Sequence, residues 1–370
     1  MRNSIKLISL FILLLIINNN SIAQIRTSYK VTSPNKQTKI EIGINNEGKL
    51  IYRVQYSGKD VINWSALGIE KYGVSEDGMT SVKSKILKSN REKFAWSLGE
   101  DDIIINNYNE IKLDCSTTSV QYKLIVRIYD GSVAFCYELL QPSDKIINYK
   151  WKENTVFNFA EPFSVYQYNQ ESVFTPTSIN ELTKTCDFPA TLTNGKLYIS
   201  IGEAKNTNYT KAELKKGNNP NSLAVVFVKD SSVVLSTPFQ TPWRTVSFAK
   251  TAIGLHDYSQ LFLKLNQPSA KGVPAWIKPG KLIRAQLNTQ SGLDCIDFAV
   301  KQNLQYIMFD AGWYGAEFRS GSDPTQVIPQ IDMPKVIQYG KDKGIGVILY
   351  VNYVGLRAKL DTILPLYKKW

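Results

Sequence analysis

A single histidine in 370 residues, His256, removes the commonest catalytic machinery at the outset. Serine and cysteine nucleophiles generally hand their proton to an imidazole, and catalytic zinc generally takes one as a ligand. His256 is therefore read as structural. Cysteine is scarce as well: Cys115, Cys136, Cys186 and Cys295 form no CxxC pair, which excludes zinc-ribbon and thioredoxin-like patterns. Cys115 and Cys136 are open to either of two readings, an exported disulfide or small buried hydrophobes, and Cys136 in VAFCYEL sits like a strand-core residue. The chain also lacks repeats, a glycine-rich phosphate loop and any dense basic run interleaved with aromatics. Its formal net charge of +12 is scattered, which reads as a solvated surface and gives no nucleic-acid partner. Long apolar runs are missing except at the start, where residues 7–17 are apolar apart from Ser9. That run falls short of the roughly 20 residues of a bilayer span.

What is there begins with that run. Arg2 and Lys6 precede it, and Ser21-Ile22-Ala23 offers small residues ahead of a cut before Gln24. This is the pattern of a cleaved signal peptide over residues 1–23, so the protein is expected to be exported, periplasmic or extracellular, with no stable membrane span afterwards. Hydrophobic residues make up 43% and aromatics 11%, enough for about two domains with sizeable cores.

From residue 24 to about 265, short alternating runs recur between turn signals. Examples are residues 39–43, 49–56, 119–129, 132–140, 195–201 and 232–236, with Asn46-Glu47-Gly48, Asp130-Gly131 and Asn194-Gly195 as hairpin-like turns. Strands at such intervals without a convincing long helix predict a large antiparallel β-sandwich over residues 24–270. Residues 271–280 read as a linker within the proline-containing stretch 267–280.

Beyond it the pattern changes to α/β. Residues 281–287, 304–310 and 346–353 are near-continuous apolar runs, as in strands buried on both faces. Between them, residues 293–302 and 333–343 carry apolar residues at helical spacing. Pro334 suits a first helical turn and Gly344 a helix stop. Strand and helix alternating in this order predict parallel βαβ units, read as the opening of a (β/α)8 TIM barrel of about three units over residues 281–370. An incomplete barrel of this kind is expected to be a fragment, inactive by itself.

Several segments taken together resemble glycoside hydrolase family 97, the exported calcium-dependent α-glucosidases and α-galactosidases. They are Gly202-Glu203-Ala204 followed by Asn208-Tyr209, Thr241-Pro242-Trp243-Arg244, Trp276-Ile277-Lys278-Pro279-Gly280, Ile296-Asp297-Phe298-Ala299 and Phe309-Asp310-Ala311-Gly312-Trp313-Tyr314. The resemblance implies a β-sandwich before a catalytic barrel, an oligosaccharide or glycoside substrate, and a Ca2+ cofactor. It also implies that Glu203 is the sandwich glutamate that reaches the barrel and coordinates calcium. The chain departs from the family after Gly280, where Leu282-Ile283-Arg284-Ala285-Gln286-Leu287 replaces a tryptophan-rich strand. The family's catalytic carboxylates fall on later strands, so no catalytic residue is expected within the chain.

Hydrolysis of a glycosidic bond needs two carboxyl groups, about 5 to 5.5 Å apart for retention and about 6.5 to 9.5 Å for inversion. A barrel presents such groups at the C-terminal ends of its strands, where Asp310 is the acid available, with Trp313 and Tyr314 close behind. Asp310, Trp313 and Asn352 are read as substrate-binding residues, a carboxylate and an amide for hydroxyls and an aromatic face for a sugar ring. The plainer readings are a loop cap for Asp310, rim packing for Trp313 and a turn for Asn352. Arg244 is read as fixing the domain interface, or as a bidentate anchor for a carboxylate. A different class of function, a noncatalytic carbohydrate-binding sandwich with a vestigial barrel, accounts for the same composition.

Overall fold

The computed structural model describes residues 25–74, 79–140, 148–228, 232–266, 274–319 and 321–370. The leader expected over residues 1–23 and much of the linker lie outside them. The chain divides into two compact units, Met1–Pro268 and Ser269–Trp370, taken in turn.

The alternating runs of the first unit form antiparallel sheets. One has seven strands: Ile25–Thr32, Thr38–Asn45, Leu50–Tyr56, Lys59–Ala66, Val156–Phe159, Ser222–Phe227 and Ala212–Lys216, neighbours in that order. The larger sheet runs from Thr175–Ser178 through Ser164–Gln167, Ala190–Thr193, Tyr198–Ala204, Trp243–Ala249, Ser132–Leu139, Gln121–Tyr129 and Ile103–Ser116 to Ser81–Ala95. Ile40, Ile42, Tyr52 and Val54 of the first sheet share one core with Leu113, Leu124, Val126 and Phe135 of the second. The Tyr52 and Phe135 rings meet with centroids 5.6 Å apart. Each large side chain fully buried there contributes about 1.5–3 kcal/mol over an exposed one. A third, short sheet places Asn148–Glu153 between Val233–Ser236 and Ile69–Lys71.

The longest hairpin, Ser81–Ala95 against Ile103–Ser116, has no counterpart among the expected strands. Its first strand is exposed along most of its length, so it carries no apolar alternation to read. An antiparallel ladder to its neighbour, broken once by a register shift between Val82 and Ser84, holds it instead. The expected Asp130-Gly131 turn closes the hairpin from Gln121–Tyr129 to Ser132–Leu139, with Tyr129 opposite Ser132. Gly131 has φ +81°, and a Cβ there would lie 2.0 Å from the Tyr258 hydroxyl oxygen. Gly131→Ala therefore meets both a left-handed backbone and a clash. Its expected cost is about 1–3 kcal/mol, measured as the loss of unfolding free energy in urea.

Cys115, Cys136 and Cys186 are buried free thiols, which selects the small-hydrophobe reading over the disulfide. Burial pushes the Cys115 and Cys136 thiols up to about 12, far from a reactive thiolate.

In the second unit three parallel strands, Leu282–Ala285, Tyr306–Phe309 and Gly346–Leu349, alternate with helices Thr289–Lys301, Met333–Asp342 and Tyr353–Lys369. Pro334 stands in the first turn of the middle helix and Gly344, at φ +72°, follows its end, the roles their positions suggest. All three strands are shorter than their apolar runs, and one expectation about them changes. Ala285, Ile307 and Phe309 are buried with Ile296 and Val336 of the helices. On the opposite face Leu282 is 42% and Ile348 36% exposed, so the sheet is covered on one side rather than two. Among the described residues no helix is long and apolar enough to cross a membrane.

Candidate functional site

Strand alternation builds a buried charged site inside the first unit. Arg244 lies opposite Glu203 across the ladder between Trp243–Ala249 and Tyr198–Ala204. Both belong to the alternating set that, further along, sends Val246, Phe248, Ile199 and Ile201 into the sandwich core. Arg244 is 1% exposed. Its guanidinium donates to Glu153 through Nε to Oε1 at 2.9 Å and Nη2 to Oε2 at 2.6 Å, a bidentate clamp. Its third arm, Nη1, donates to Glu203 Oε2 at 2.5 Å, and Asn206 Nδ2 donates to Glu203 Oε1 at 2.8 Å. The Phe188 ring lies 5.4 Å from the guanidinium carbon.

Two carboxylates thus share one cation, and the electrostatics record the imbalance. Burial raises the Glu203 carboxyl above the ordinary range, outweighing the pull of Arg244. Burial also works against the Arg244 charge, but the Glu153 carboxylate overcomes it and the guanidinium holds its proton more firmly than in water. The Tyr209 hydroxyl is kept protonated by burial first and by the charge of Glu153 second. Arg244 is the bidentate carboxylate anchor of the two roles its sequence allowed.

Glu153 escaped the sequence reading. Its signal was present in Asn148–Glu153: Lys150 and Lys152 are exposed while Trp151 and Glu153 alternate with them and are buried. An acid in register with a buried tryptophan is an acid that needs a partner.

In the second unit Asp310 follows Phe309 at the C-terminal end of the middle strand, half-exposed, with Arg284 Nη1 at 3.1 Å from its Oδ2. Trp313 takes a different place from the one its sequence suggested. It is fully buried, its indole Nε1 donates to the Tyr350 carbonyl at 2.6 Å, and no ring face is open to a sugar. Asn352 is likewise turned inward. Tyr353 begins a helix rather than ending a strand, and Asn352 caps it, with its Oδ1 accepting from Val354 N at 3.0 Å. The Asn352 backbone N–H donates to the Tyr314 hydroxyl at 2.9 Å. His256 is exposed beside Glu100, 3.2 Å away, outside both groups.

Comparison with known proteins follows the same division. Residues 31–268 match the family description glycosyl-hydrolase 97 N-terminal, and residues 273–370 match glycoside hydrolase 97. A retaining α-galactosidase of Bacteroides thetaiotaomicron is 26% identical over 191 residues, 46% of this chain and 28% of that protein. A probable retaining α-galactosidase of Streptomyces bingchenggensis is 20% identical over 353 residues, 87% of this chain and 52% of that one. Among solved structures, a glycoside hydrolase family 97 enzyme of Pseudoalteromonas sp. strain K8 in complex with acarbose superposes with a TM-score of 0.80 at 22% identity. That superposition covers 92% of this chain and 57% of that one. The chain spans about half the length of these relatives, or less.

Proposed function

The chain belongs to glycoside hydrolase family 97, and from that premise we propose that the whole protein is an exported glycosidase that cleaves α-linked galactosides or glucosides with retention. Two relatives carry the name retaining α-galactosidase, which puts α-galactosides first. The observation that carries the reading is the pairing of family matches over both units with a carboxylate, Glu203, held by Arg244 at the position the family resemblance marks.

The parallel strands of the second unit are read as the opening of a (β/α)8 barrel. The open apolar face at Leu282 and Ile348 supports this, because it is the side that a closed barrel would fill. Asp310 stands where such barrels present substrate contacts, and Trp313 and Asn352 set the rim behind it through packing and capping. The catalytic carboxylates are assigned to no residue of this chain.

Calcium fits the first unit in one respect that the structure supplies. The Glu153–Arg244–Glu203 group keeps one unbalanced negative charge, and Glu203 is its less buried acid. Glu203 would hold the ion with one of the about six to eight oxygens calcium takes. Among the described residues no cluster of three or more acidic, cysteine or histidine side chains completes the set. A bound calcium supplies positive charge where a departing sugar oxygen becomes negative. Arg244 orients the Glu203 carboxylate, and Asn206 fixes its other oxygen. The test is release of nitrophenol from aryl α-galactoside and α-glucoside by the protein expressed from its complete reading frame, with and without chelator. Turnover lost on chelation is the expected result. Binding of the sugars with no turnover under any metal condition would favour the noncatalytic sandwich.

A further inference from the structure

Trp243 and Arg244 are successive residues of one strand, so their side chains leave on opposite faces of the larger sheet. Arg244 serves the site already described. Trp243 instead borders a separate pocket of about 540 Å³ on the other face.

Four ammonium groups line that pocket, Lys88, Lys93, Lys205 and Lys264, against the single carboxylate of Glu92. A fifth cation, Arg127, is already satisfied: Glu110 accepts from its Nε at 2.8 Å, and it lies between the rings of Tyr108 and Trp243 at 4.4 and 4.9 Å. Lys205 is spent on an amide, Gln240 Oε1, at 2.7 Å. Among the described residues no carboxylate forms an ion pair with Lys88, Lys93 or Lys264. Lys264 is half-buried, and burial lowers its pKa, the mark of a charge without a full counterion.

The remaining lining is amide and aromatic, with Asn90, Asn106 and Asn266 beside Phe94, Tyr108 and Trp243. The Asn106 and Asn266 amide nitrogens donate within the protein, to Glu92 and the Lys264 carbonyl and to the Phe262 carbonyl, while Asn106 Oδ1 is a buried acceptor without a hydrogen-bond partner among the described residues. A bare inorganic anion would leave such groups unused. A polyhydroxylated anion would use them together with the lysines.

We propose that this pocket binds an anionic saccharide unit, a sugar ring bearing a carboxylate or a sulfate ester, with Lys264 and Lys93 on the anionic group and the amides on ring hydroxyls. The proposal stands apart from the glycosidase reading, since none of the Glu153, Arg244 and Glu203 side chains lines the pocket. Such a site would hold acidic polysaccharide while the glycosidic bond is cut elsewhere.

Calorimetric titration of the protein at low ionic strength with glucuronate, glucose 6-sulfate, glucose and inorganic sulfate tests it. At least one charged sugar is expected to bind about tenfold or more tightly than both glucose and inorganic sulfate, and the stronger of the two identifies the anionic group. Lys264→Met should weaken that binding about tenfold. Lys93→Ser, at an exposed position with no role in the core, should weaken it without disturbing the fold. The proposal is overturned if neither charged sugar exceeds glucose, if inorganic sulfate binds as tightly as the charged sugars, or if both variants bind them like wild type.

Discussion

Arg244→Met is expected to cost the first unit about 3–5 kcal/mol, the penalty for removing one partner of a buried ion pair. The reason lies in what remains. Glu153, with its side chain 4% exposed, loses both arms of its clamp, and Glu203 loses its cation at the same time. Replacing the pair together, as in Arg244→Met with Glu153→Leu, removes the stranded charge along with its partner and should restore most of the loss. Urea unfolding followed by tryptophan fluorescence reads both variants. If Arg244→Met alone unfolds within about 1 kcal/mol of wild type, the triad is an ordinary exposed bridge and this reading of it is wrong. The deficit of the single variant should shrink as pH falls, because protonating Glu203, already raised by burial, removes one of the uncompensated charges.

Trp313→Ala is expected to destabilise the second unit by about 3–5 kcal/mol, the range for emptying a large buried aromatic site. Trp313 packs edge-on to Tyr314 with centroids 5.0 Å apart and tilted against Tyr367 at 6.1 Å. Its loss also leaves the Tyr350 carbonyl without the indole donor. Trp313→Phe keeps much of the packing and should cost less. Hydrogen exchange of the helices Thr289–Lys301 and Met333–Asp342 resolves the effect within this unit. A sugar platform would behave in the opposite way, with protection intact in Trp313→Ala and only glycoside affinity reduced.

The sandwich was legible where one face of a strand is apolar and the other is not, as in Thr38–Asn45, whose Ile40, Ile42 and Ile44 alternate with Lys39, Glu41 and Gly43. The parallel order of the second unit was legible from apolar runs set between helical spacings, with Pro334 and Gly344 as punctuation. Ser81–Ala95 was not, because a strand held by backbone pairing leaves no side-chain pattern. The site was half legible. Glu203 and Arg244 stood out through the family segments, whereas Glu153 is distant in sequence and lies in a different sheet, so only tertiary packing brings it to Arg244. Trp313 and Asn352 show a further limit: a residue near a strand's end can turn inward to pack or to cap, and sequence spacing alone does not distinguish that from facing a ligand.

The central claim is that Glu203 serves function rather than stability, and its charge gives a way to separate the two. A carboxyl whose folded pKa lies above its unfolded one holds its proton more tightly when folded. Its contribution is therefore complete at low pH and is lost as pH rises through that range. At neutral pH Glu203→Gln should leave thermal stability unchanged or slightly higher. The decisive measurement is aryl α-galactoside turnover by the protein from its complete reading frame, wild type and Glu203→Gln, titrated with calcium after chelation. The account predicts that wild-type activity returns with calcium, and that the variant, equally stable, falls by at least about tenfold or needs that much more calcium. A variant with wild-type turnover and wild-type calcium dependence would contradict it.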